Sequence, residues 1–179
     1  IGMLLCGIPK GEVVSPENVQ SFVDRRKSGD NPWSTPRIEP DIVHFESGIA
    51  NGLADGSPIR ATIKNQSVRT GDYHGLTNKP RPSHADYAAY LKSQTTSGGG
   101  RFSGRMTAPL CIAGGIAKDI LRTKGIAVAA YISRIGNAKG LLSYENTVVT
   151  PDIVLEAQAR SLAVADEASN DSMLKEMRK

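Results

Sequence analysis

Between residues 58 and 64 the apolar side chains Ile59, Ala61 and Ile63 alternate with Arg60, Thr62 and Lys64. That is the period of a half-buried antiparallel strand with one solvated face. Residues 42–49 read as a second strand, joined to the first across the turn-rich stretch from Asn51-Gly52 to Asp55-Gly56. Strands linked by so short a turn pair antiparallel. The apolar opening Ile1-Gly2-Met3-Leu4-Leu5 reads as a strand already in progress, ending at Pro9-Lys10-Gly11.

Helices are separate from these strands. Ser15-Pro16 offers an N-cap followed by proline at the first helical position, and Val19, Phe22 and Val23 recur at helical spacing, which predicts a helix from Pro16 to about Lys27. It ends in the basic cluster Arg25-Arg26-Lys27, read as a solvated helix end that the macrodipole favours, with substrate steering as the alternative. A short helix is expected from His84 to about Lys92. The strongest helical stretch is Met106 to Lys124, stopped by Gly125. Its small residues Ala113, Gly114, Gly115 and Ala117 call for a close neighbour, expected to come in part from chain outside residues 1–179, so association is anticipated. Pro109 must sit in the first turn or kink this helix. A further strand is predicted over 126–132, and helices around 153–165 and 173–179. Hairpin-paired strands with separate long helices make the class α+β rather than alternating βαβ. Residues 1–179 are read as one partial domain.

At 179 residues with 39% apolar and 5% aromatic side chains, the chain can bury an aliphatic core. The net charge of +4, from 22 Lys+Arg against 18 Asp+Glu, attracts anions, and phosphorylated small molecules fit it as well as RNA does. Few aromatics and no stacking motif count against RNA. Cys6 and Cys111, far apart and in no Cys-x-x-Cys pair, suggest neither a disulfide framework nor a zinc site; both are expected to be buried thiols in a reducing, cytoplasmic setting. No apolar run reaches the roughly 18 to 20 residues of a membrane span.

Two segments carry candidate chemistry. In Arg81-Pro82-Ser83-His84-Ala85-Asp86-Tyr87, His84 sits at a loop-to-helix boundary, where it can exchange a proton near neutral pH beside an anion-holding Arg81. Alternatively it is a helix-end histidine, with Asp86 supporting the helix start. In Ser97-Gly98-Gly99-Gly100-Arg101-Phe102-Ser103-Gly104-Arg105, glycines allow close backbone approach to a ligand and the arginines offer bidentate donors for phosphate. A flexible linker is the competing reading, and Phe102 fits either a core anchor or a ring-stacking role. His44 lies in a strand pattern as a cross-strand neighbour, and His74 lies in a loop.

Together these blocks resemble chorismate synthase. The resemblance rests on Arg81–Tyr87, on the glycine-arginine run 98–105, and on Ala113-Gly114-Gly115-Ile116-Ala117-Lys118, supported by Asp24-Arg25-Arg26, Arg37-Ile38-Glu39-Pro40-Asp41 and Gly71-Asp72-Tyr73. It implies antiparallel sheets sandwiching helices in a cytoplasmic homotetramer. The activity implied is conversion of 5-enolpyruvylshikimate 3-phosphate to chorismate and phosphate by an anti elimination that needs reduced FMN, with NADPH as a source of electrons for the flavin. On the same resemblance His84 is catalytic, Arg101, Phe102 and Ser103 bind flavin, and Arg26 matches a position linked to pyridine nucleotide or substrate. Arg81, Arg105 and Arg37 hold phosphate or carboxylate. No nucleic acid, membrane or metal partner is implied. Phe102 stands where the family more often has a serine, so only its backbone N–H can serve, and Pro32 stands where a basic residue would support NADPH use. The family's first histidine motif and its C-terminal half are expected outside residues 1–179, so this stretch alone should be inactive. A non-catalytic flavin- or nucleotide-binding module is the alternative.

Overall fold

The computed structural model describes residues 1–27, 34, 39–66, 79–92, 100–140, 150–160, 162–164 and 166–179. They fall into two compact units, Ile1–Lys124 and Gly125–Lys179.

In the first unit β5 (Ile59–Ile63) is the centre of a three-stranded antiparallel sheet, flanked by β1 (Gly2–Leu5) and β2 (Val43–Ser47). Met3 and Phe45 both stand opposite Ala61, and His44 stands opposite Thr62, the cross-strand place expected of it. The alternation read from the sequence is the one observed: Ile59, Ala61 and Ile63 are buried, whereas Arg60 is exposed. A small hairpin of β3 (Ile49–Ala50) and β4 (Leu53–Ala54) turns at Asn51-Gly52.

Helix α1 (Pro16–Asp24) starts where its signals put it, with the Ser15 hydroxyl accepting from the Asn18 N–H at 3.2 Å. Helix α2 spans Asp86–Leu91. In α3 (Thr107–Thr123) Pro109 occupies the first turn, where its missing N–H costs no helical bond. Ala108, Ile112 and Ile116 recur at four-residue spacing and join Val19, Val23 and the buried face of β5 in one core.

Part of the small-residue face of α3, at Gly114 and Gly115, packs against α1 within this chain, whereas Ala117 on the same helix is exposed. A Cβ placed on Gly115 would lie 3.2 Å from Val19 Cα, and one on Gly114 would lie 3.4 Å from the Phe22 ring. Asp119, one turn further along, is buried and ties the start of α1 to α3 by accepting from the Ser15 N–H and Asn18 Nδ2, each at 2.9 Å. Gly115→Val is therefore expected to lower stability by about 1–3 kcal/mol, because overpacking against backbone outweighs the modest gain from removing a helical glycine. A urea unfolding curve superimposable on that of the parent would show that α1 can move aside.

The second unit has a hairpin, β6 (Arg134–Ile135) with β7 (Ala138–Lys139), and helices α4 (Pro151–Ala159) and α5 (Glu167–Met177). Met173 is buried and its Cε lies 3.5 Å from a Cβ built on Gly140, next to the hairpin. One expectation fails here, and two expected helices are present with shifted ends. Residues 126–132 form no strand: their alternation states which way side chains would face, but no ladder partner lies among the described residues, and Ile126 and Val128 are exposed. The helix around 153–165 begins earlier, capped by Thr150, and stops at extended Arg160. The last helix starts at Glu167 because Asp166 accepts from the Ser169 N–H at 2.7 Å, a cap the apolar pattern does not reveal. Cys6, expected to be buried, is exposed, and Cys111 is partly buried. No helix among the described residues is long and apolar enough to cross a membrane.

Candidate active site

Two charged clusters contain Arg26, Arg105, Arg81 and His84 from among the residues singled out in the sequence. The first gathers three separate segments around Asp41. Arg26, just past the end of α1, contacts Asp41 Oδ2 through Nη1. Arg105, in the short 3-10 turn Gly104–Met106 that leads into α3, brings Nη2 to 2.6 Å from Asp41 Oδ1 and 3.6 Å from Glu39 Oε2. Asp41 is 2% and Glu39 7% exposed, so two carboxylates and two guanidinium groups share a largely dry space.

Charge is balanced in this cluster but hydrogen bonding is not. Arg105 Nη2 and Asp41 Oδ1 are close yet misaligned, and both, with Arg26 Nε and Arg105 Nε, are buried without a hydrogen-bond partner. Asp41 also has a φ of +46°, the left-handed region, which aspartate tolerates better than most residues. Gln20 on α1 fixes the backbone on either side, donating to the Asp41 carbonyl at 3.2 Å and accepting from the Val43 N–H at 2.9 Å. The basic cluster after α1 is therefore not uniformly solvated. Arg26 turns inward, Lys27 pairs with Asp24 at 2.6 Å, and Arg25 lies 5.7 Å from the Phe22 ring centroid. Lys118 Nζ lies 4.8 Å from the same centroid, and burial, with Arg25 second, lowers its pKa.

The second cluster precedes α2. Arg81 grips Asp86 with a fork, Nε to Oδ2 at 2.7 Å and Nη2 to Oδ1 at 3.0 Å, and its backbone N–H adds a third bond at 3.1 Å. His84 Nδ1 is 2.6 Å from Asp86 Oδ1. Hydrogen bonding from the Arg81 side chain outweighs partial burial, and with the Arg81 N–H and His84 it holds the Asp86 carboxyl well below the usual carboxylate range. An ionised Asp86 selects the tautomer with hydrogen on Nδ1, so that Nε2 carries the ring's lone pair. Arg81 Nη2 lies 3.3 Å and 3.4 Å from the two ring nitrogens, over the edge between them.

Arg26 and Arg105 are thus brought together through Asp41, and Arg81 and His84 through Asp86. Arg101 is exposed, and Phe102 and Ser103 are half-buried, just ahead of Arg105. The Ser103 hydroxyl accepts from the Arg105 N–H at 3.2 Å, which leaves its O–H to donate. Exposed Arg101 and this O–H are donors of the kind that the anionic end of a phosphorylated flavin or substrate requires. Arg37, His74 and residues 93–99 of the glycine run lie outside the described residues. Asp41 and Glu39 are the site residues that sequence reasoning passed over. Their signal was the company of several arginines in the matched blocks, since buried cations require counter-ions.

A family model described as chorismate synthase matches residues 1–179. The chain belongs to the chorismate synthase family. The chorismate synthase of Lancefieldella parvula is 47% identical over 141 residues, which is 76% of this chain and 37% of that protein. That of Pyrobaculum neutrophilum is 37% identical over 181 residues, 99% of this chain and 48% of the relative. A crystal structure of a chorismate synthase superimposes with a TM-score of 0.65 at 20% identity, covering 97% of this chain and 47% of that one, a likeness that establishes the mixed α+β fold. The chain spans about half or less of the length of these chorismate synthases.

Proposed function

We propose that this chain forms part of an enzyme that converts 5-enolpyruvylshikimate 3-phosphate to chorismate and phosphate. The reading is carried by membership of the chorismate synthase family over residues 1–179. The reaction breaks a C–O bond to phosphate and a C–H bond and forms a C=C bond, so it needs cationic groups where charge builds on the departing phosphate and a residue that handles a proton. Arg105 and Arg81, with Arg37, are assigned to the phosphate and carboxylate groups. His84 exchanges the proton at Nε2, with Asp86 fixing its tautomer. Arg101, the Phe102 backbone N–H and Ser103 are assigned to FMN, which when bound and reduced supplies electron density as phosphate departs. Arg26 is assigned to pyridine nucleotide or substrate, and NADPH to flavin reduction.

In this reading residues 1–179 are one part of a larger domain of a cytoplasmic homotetramer, and alone they are inactive. A chain extended to the length of its relatives, with reduced FMN supplied, is expected to release phosphate from the substrate. No release would refute the assignment. In the same extended chain Arg101→Ala should weaken FMN binding by about 1.5–3 kcal/mol, the range for a hydrogen bond to a charged group. Unchanged affinity in a flavin fluorescence titration would return residues 98–105 to the linker reading.

A further inference from the structure

We infer that Asp41 is a positioning residue that holds Arg26 and Arg105 together as a single anion clamp. The inference rests on the proposed assignment of those two arginines to anionic groups and adds the residue that sets their geometry. The fold accepts two costs at this one position. A carboxylate is 2% exposed, although removing a charge from water is expensive unless its partners compensate. Its backbone is left-handed at φ +46°, which an ordinary L-residue avoids.

Both costs serve one arrangement. Oδ2 faces Arg26 and Oδ1 faces Arg105, so one carboxylate bridges guanidinium groups from two distant segments. The bridge is held from α1 by Gln20, which grips the Asp41 carbonyl and the Val43 N–H. Two guanidinium groups without that carboxylate would repel one another and lose their common reference point. With it the two side chains stay together and remain 21% and 17% exposed. Glu39, 3.6 Å from Arg105 and already accepting from the Gln66 N–H, stands farther from Arg105 than Asp41 at 2.6 Å.

Asp41→Asn keeps the size of the side chain and a residue type that accepts left-handed backbone, so it removes chiefly the charge. In the chain extended to the length of its relatives, the probe is inorganic phosphate, titrated calorimetrically. Phosphate should bind about tenfold or more weakly in the variant, and KM for the phosphorylated substrate should rise by a similar factor with kcat changed less than about threefold. Adding Arg105→Ala to Asp41→Asn should cost far less affinity than Arg105→Ala alone, because the clamp is already broken. Gln20→Ala leaves every charge in place and frees the 41–43 backbone; it should weaken phosphate about three- to tenfold, and it keeps the test open if Asp41→Asn does not fold.

Unchanged or tighter phosphate binding in both variants would overturn the inference, since Asp41 would then be a structural counter-ion or a competitor of the ligand. A lowered melting temperature with KM intact would do the same. If the parent binds phosphate but never turns over the substrate, the proposed function fails, and the clamp is still judged by the phosphate titration.

Discussion

Replacing His84 by alanine, in a chain extended to the length of its relatives, is expected to cut turnover by about 10²-fold or more while substrate affinity and melting temperature change little. The structure provides the reason to expect separable effects. Arg81 and Asp86 hold each other by three hydrogen bonds that do not involve the imidazole, so the loop into α2 keeps its shape when the ring is removed. What disappears is Nε2, the ring nitrogen to which the proposed function assigns the proton exchange. Turnover normalised to folded enzyme, with the thermal midpoint measured on the same samples, distinguishes the alternatives. A histidine with only a structural role would lower the midpoint and leave normalised turnover nearly intact.

Arg105→Ala is expected to destabilise the fold by about 3 kcal/mol, the lower end of the range for breaking a buried ion pair from one side. The lower end applies because Asp41, although it loses Arg105 at 2.6 Å, retains Arg26 as a counter-ion. For a chain of this size that corresponds to a drop in melting temperature of roughly 6–12 °C. Arg105→Lys should recover part of the loss, since an ammonium restores charge but not the planar fork. A midpoint for Arg105→Ala within about 0.5 kcal/mol of the parent, the scale of a neutral surface change, would mean the cluster is hydrated and contributes little to stability.

The two clusters differ in how visible they were beforehand. Arg81, His84 and Asp86 lie within six residues, so local chain geometry alone restricts how far apart they can be. Asp86 was read as helix support, and its grip on both Arg81 and His84 adds to that reading without displacing it. Arg26, Asp41 and Arg105 are different: their contact requires α1 to pack on α3 through Gly115 and the 39–43 segment to be tied to α1 through Gln20. None of those contacts has a sequence-local cause.

From sequence alone came whatever depends on neighbours a few positions away: the buried face of 59–63, the Ser15-Pro16 start of α1, the first-turn place of Pro109, and the stop of α3 near Gly125. Side-chain direction repeats every 2 or 3.6 residues, and caps act within one turn, so these features are written in short windows. The tertiary structure decided who meets whom. It set Gly114 and Gly115 of α3 against α1, denied residues 126–132 a strand partner among the described residues, and set one buried aspartate between two arginines. Such pairings are chosen by the packing of the whole chain, because an apolar period or a charge specifies what a surface needs and not which distant segment will supply it.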